Sequence, residues 1–121
     1  MSANDLKIRV KALALRIITL VQALPKTMVG NVIGKQVLRS GTSIAANYYS
    51  ACKARSRRDF INKLGVAEEE ADETLLWLEL LVESKLIEEK RMKNLLQEVG
   101  EVIAILASSR LTAKRNESRS S

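Results

Sequence analysis

Five cations crowd into one short stretch of this chain. Lys53, Arg55, Arg57, Arg58 and Lys63 fall together with a single acid, Asp59, among them. Ammonium and guanidinium groups at that density suit one chemistry above others, the neutralisation of phosphate oxygens on a nucleic-acid backbone. Lys35 and Arg39 lie upstream and are expected to widen the patch. A second charged run follows at once: Glu68, Glu69, Glu70, Asp72 and Glu73. Carboxylates one helical turn apart, as at Glu69 and Glu73 or Glu68 and Asp72, are able to hold a hard cation or move a proton. A solvated or ion-paired acidic face explains the same spacing more simply.

Catalytic chemistry finds little else to build on. The sequence contains no histidine, which removes the commonest general base and the commonest metal ligand. A ferritin-like di-iron centre needs Glu-x-x-His pairs. No serine or cysteine nucleophile has a candidate base, and no glycine-rich phosphate loop is present. The expectation is a protein without enzymatic activity, metal site or cofactor. The single Cys52 cannot form a disulfide within the chain, so a reducing, cytoplasmic setting is expected, with Cys52 a small buried or half-buried apolar group. No secretion signal and no run long enough for a membrane span is visible.

The elements that must position these charges are helical. Of the 121 residues, 46% are apolar but only 3% aromatic, with one proline and five glycines. That composition suits aliphatic packing between helices and lacks the turn residues of a β fold. Leu6, Val10, Leu13, Ile17 and Leu20 predict a helix over about 5–23, stopped by Pro25. Asn31 is the expected cap of a second helix running to about 54, with Ile33, Val37, Ile44, Tyr48 and Ala51 as its stripe. Its thin middle, with Ser40, Gly41 and Ser43, implies close approach of a neighbour, since glycine there costs about 1 kcal/mol of helix propensity.

Ser56 and Asp59 read as the cap of a third helix over 57–83. Its expected seam is Phe60, Leu64, Ala67, Ala71, Leu75, Leu78 and Val82. Residues 75–82, LLWLELLV, are apolar almost all round, so Leu76, Trp77, Leu80 and Leu81 are expected to bury a second side against another copy. A fourth helix is predicted over about 88–113, with Met92, Leu95, Leu96, Val99, Val102, Ile103 and Leu106 inward. Residues 1–115 thus form one all-α domain, an up-down-up-down antiparallel four-helix bundle. Residues 116–121 are expected to be a frayed polar tail.

Charge is unevenly divided. Residues 1–58 carry eleven bases and one acid, a net of +10, and residues 59–121 carry nine bases and thirteen acids, a net of −4. The acids of helix 3 are therefore expected to face Arg9, Arg16, Lys35 or Arg39, within a chain or across copies.

Three segments together resemble a known family. Leu38 to Asn47, LRSGTSIAAN, is similar to an R-x-[AG]-x-S-I-x-x-N run; Ser56 to Phe60, SRRDF, to an S-x-x-[DE]-F segment; and Glu69 to Thr74 with Trp77 to Leu81 to its acidic helix. Leu24-Pro25 sits where that family commonly ends its first helix. The family is that of proteins encoded in intervening sequences of 23S ribosomal RNA, also called the S23 ribosomal protein family. Ala45 stands where relatives often carry proline or glycine, and the first helix lacks the family's aromatic residues. The resemblance covers nearly the whole chain and implies a bacterial four-helix bundle that assembles into homo-oligomers, pentamers foremost. Two functions stay open: a nucleic-acid-binding oligomer, RNA foremost, and a scaffold or adaptor working through protein contacts, for example beside a nucleic-acid enzyme.

Overall fold

Each helix begins on a side chain able to accept a backbone N–H or follows a short turn. The structure, a computed structural model, describes residues 1–120, with side chains through Ser118. Helix α1 (Ala3–Gln22) opens on a reciprocal cap. Ser2 Oγ accepts from the Asp5 N–H at 3.1 Å, and the Asp5 carboxylate accepts from the Ser2 N–H at 3.0 Å. Helix α2 (Met28–Cys52) starts earlier than expected. Its cap is Thr27, whose Oγ1 accepts from the Gly30 N–H at 3.0 Å, and Asn31 lies inside the first turn. Glycine is needed at position 30 because a Cβ there would overlap the Pro25 carbonyl oxygen.

Helix α3 (Arg57–Glu83) is bounded as the sequence predicts, with Ser56 Oγ accepting from the Asp59 N–H at 3.1 Å. It ends in a Schellman turn. The Leu86 N–H reaches the Leu81 carbonyl at 3.1 Å, with Lys85 in the left-handed region at φ 64°. Helix α4 (Glu89–Ser120) runs past the expected end at 113. No glycine or proline follows Ala113 to stop it, so residues 116–120 continue the helix; Ser121 of the expected tail lies outside the described residues.

The helices form the expected antiparallel up-down-up-down bundle, with α2 against both α1 and α3, and α3 against α4. Helices α1 and α4 approach less closely and meet through long polar side chains. Arg9 donates to both oxygens of Glu98 at 2.8 and 2.7 Å and to Glu101 at 2.8 Å, and Arg16 donates to Asn94 at 2.8 Å. Arg9 and Arg16 therefore face α4, not the acids of α3. The core is aliphatic, centred on Leu13, Ile17, Ile44, Leu64, Leu78, Leu81 and Leu106. No helix among the described residues is long and apolar enough to cross a membrane.

The thin middle of α2 does what its composition implies. A Cβ on Gly41 would sit 2.9 Å from Ile17 Cγ2 of α1, and Ser40 is buried against α3, where the Thr74 hydroxyl donates to its Oγ at 2.8 Å. Two glycines should thus respond oppositely to alanine. Gly41→Ala gains helix propensity but overpacks against Ile17, for a net loss of about 1 kcal/mol. Gly100→Ala, with nothing within 4 Å of its Cβ, should gain about 0.5–1 kcal/mol. Urea midpoints measure both.

The buried face of α3 differs from the expected seam. Ile61, Thr74 and Leu81 are buried, while Phe60, Leu75 and Val82 flank the core. A heptad seam drifts from a straight helix of 3.6 residues per turn, and Thr74 can be buried because Ser40 satisfies it. Leu81 is fully buried inside its own protomer, which corrects its placement at a contact between copies. Cys52 is exposed, not buried: Ala51 takes the last core position of α2, and the next residue is turned about 100° away.

Candidate nucleic-acid interface

The turn between α2 and α3 is held by its own backbone. Lys53 caps α2 with its N–H on the Ser50 carbonyl at 3.1 Å, the Ala54 N–H reaches Ala51 at 3.0 Å, and Ser56 starts α3. Lys53, Arg55, Arg57 and Arg58 consequently project from one end of the bundle, all exposed. The positive end of the α3 dipole points the same way. Lys63, one turn further on, is half-exposed and pairs with Asp59 at 3.5 Å.

The antiparallel topology brings two more segments to this end. Ala3 of α1 shares a shallow hollow of about 390 Å³ with Cys52, Ser56 and Arg57. Arg110 and Lys114 of α4 share another, of about 340 Å³, with Ile61, Asn62 and Gly65. Lys114 and Arg115, both exposed, therefore extend the patch. Sequence reasoning left the end of α4 out of the patch. The signal it missed is topological: in an even-numbered antiparallel bundle the last C-terminus returns to the second turn. Lys53, Arg55, Arg58, Lys114 and Arg115 have no ion partner within 4.0 Å among the described residues.

Lys35 and Arg39 are not part of this group. At 1.5 Å per residue they lie about 27 and 21 Å along α2 from Lys53. Arg39 is occupied: it donates to Glu70 at 3.4 Å and to Glu73, as expected of an acidic α3 facing the basic half of the chain. Glu68 is held by Arg110 at 2.9 Å. Among the described residues no group of three or more potential ligands is placed to hold a metal ion.

One ring reaches this end: Phe60, partly buried against the core, lines the hollow with Ser56 and Arg57. Tyr48 is buried in the core, and burial, followed by its hydrogen bond with Cys52, pushes its hydroxyl up to about 12. The Lys7 ammonium sits 5.1 Å from the centre of the Tyr49 ring. Cations without a fully open stacking ring contact phosphates foremost and position a backbone.

Trp77 lies elsewhere, half-buried on α3, its Nε1 donating to Glu73 at 3.2 Å. Leu76 and Leu80 are exposed on the outer face of that helix. Of the four residues expected at a contact between copies, these two are accessible, Trp77 is partly so, and Leu81 is not.

The indole N–H and then Arg39 hold the Glu73 carboxyl below its ordinary range. A carboxylate depressed in the folded state contributes stability above its unfolded pKa, lost as pH falls through the lower folded value. Trp77 is the only tryptophan, so its fluorescence should change with a midpoint below 4.5, the ordinary value. In Glu73→Gln that step should vanish.

The sequence model of the 23S rRNA-intervening sequence protein family matches residues 4–108 of this chain. A crystal structure of a protein of unknown function from the S23 ribosomal protein family of Bacteroides thetaiotaomicron superposes with a TM-score of 0.85. The two chains are 40% identical over 91% of this one and 98% of the other. No curated protein matches the sequence.

Proposed function

We propose that this chain, which belongs to the 23S rRNA-intervening sequence protein family, acts without catalysis as a self-associating four-helix bundle. It holds the phosphate backbone of RNA or DNA at the end where α2 turns into α3. The observation that carries this reading is the convergence there of Lys53, Arg55 and Arg58 with Lys114 and Arg115, exposed and without ion partners within 4.0 Å among the described residues. Arg57 and Lys63 border the same surface. Repetition of the patch in an assembly would multiply weak contacts into useful avidity. The histidine-free sequence supports a binding role over a catalytic one. The unpaired Cys52 fits a cytoplasmic setting.

Binding of this kind is sequence-tolerant and falls steeply with salt. With about four phosphates neutralised, affinity should drop roughly 100-fold between 50 and 200 mM salt. Fluorescence anisotropy with labelled RNA and DNA, single-stranded and duplex, measures it. No binding to any of them at 50 mM salt would overturn the reading. A scaffold or adaptor role has its own support in the exposed Leu76 and Leu80 on α3. It would be favoured by an assembly that forms normally but ignores nucleic acid.

A further inference from the structure

We infer that the outer face of α3 in one copy receives the outer face of α1 from the next, so that copies join head to tail. The inference rests on the self-association proposed above and adds which two surfaces meet. Helix α1 carries Ile8, 62% exposed, and Leu15, 56% exposed, one heptad apart. Ala12 and Thr19, both exposed, complete a stripe of small and apolar groups facing away from the core. Helix α3 offers Leu76, 50% exposed, and Leu80, 37% exposed, one turn apart on its outer face. Stripes at this spacing are what two helices need to pack side by side.

The charges flanking the stripes are complementary. From Leu6 to Ala23 the chain contains no acid, and from Leu64 to Ser84 it contains no base. Glu69, Asp72, Glu79 and Glu83 are exposed and have no ion partner within 4.0 Å among the described residues, and the same holds for Lys11 beside the α1 stripe. The protomer thus leaves acid on one face and base on the other. Like faces would repel if α3 met α3. Helices α1 and α3 are diagonal in the bundle, with no close backbone approach, so their outer faces look in opposite directions. Two unlike faces on opposite sides give a heterologous contact, which closes into a ring when its rotation permits.

Two double variants test this. Ile8→Asp with Leu15→Asp spoils only the α1 face, and Leu76→Asp with Leu80→Asp spoils only the α3 face. Each should keep wild-type helicity, since all four positions are exposed, and each alone should have the mass of one protomer by light scattering. Mixed in equal amounts they should form a 1:1 species of twice that mass, because each supplies the face the other lacks. Lys11→Glu leaves every apolar group in place and should weaken assembly several-fold. If the α1 variant retains wild-type mass, the contact lies elsewhere, on α3 alone or on the exposed Met28 and Val32 of α2, and the inference fails. It fails also if the mixture stays monomeric. A wild-type chain that is itself monomeric would sink both this inference and the self-association, while nucleic-acid affinity is scored separately.

Discussion

Leu81→Glu is expected to leave the chain without a cooperative unfolding transition, whereas Leu80→Glu, one residue away, should fold with wild-type helicity. Leu81 is fully buried and Leu80 is 37% exposed. Burying a leucine side chain is worth about 1.5–3 kcal/mol. Placing an unpaired carboxylate there adds a further penalty of several kcal/mol. Together these consume most of the about 5–15 kcal/mol that keeps a domain folded. At position 80 of the single protomer the carboxylate stays in water, and the protomer's own stability should change by no more than about 0.5 kcal/mol. Circular dichroism during urea titration separates the two. Equal loss of structure in both variants would contradict the placement of the α3 core.

Replacing Lys53, Arg55 and Arg58 together by glutamine should weaken nucleic-acid binding about 100-fold at 50 mM salt and lower the slope of log affinity against log salt by about 2–3. All three are exposed, and none makes an ion pair within 4.0 Å among the described residues, so helicity and thermal midpoint should hold. Lys35→Gln is the matched control. It removes one positive charge about 27 Å from the cluster along α2 and should change affinity less than twofold. Equal losses per charge removed would point to net charge, not to a site.

Helix identity was legible because hydrophobic period and caps agreed. Ser56 and Asp59 mark the start of α3 with a cap that only its own backbone can satisfy, and the structure keeps that boundary. The start of α2 was harder, since Thr27 and Asn31 are both competent caps and only the turn at Pro25 selects the first. The end of α4 was hidden by polarity: RNES is hydrophilic, but nothing in it breaks a helix. Leu81 and Val82 are neighbours of similar character, and a heptad count picks the wrong one. The geometry sorts them: Leu81 is fully buried and Val82 only flanks the core.

The basic cluster was visible as composition, but its membership was not. Arg39 loses its availability to Glu70 and Glu73, more than thirty residues away in sequence. Lys114 and Arg115 join only through the return of α4. Local pattern reports charge density; which charges remain unspent is decided by long-range contacts. The 23S rRNA-intervening sequence family supplies the bundle, and the surface that remains uncompensated carries the proposed function.

Lysine reactivity in the presence and absence of bound RNA tests the central claim most directly. With acetylation rates read residue by residue by mass spectrometry, Lys53 and Lys114 should lose reactivity when RNA binds, while Lys85 and Lys90, at the opposite end of the bundle, keep theirs. Protection at Lys85 and Lys90 with Lys53 and Lys114 unchanged would place any bound RNA elsewhere and contradict the account.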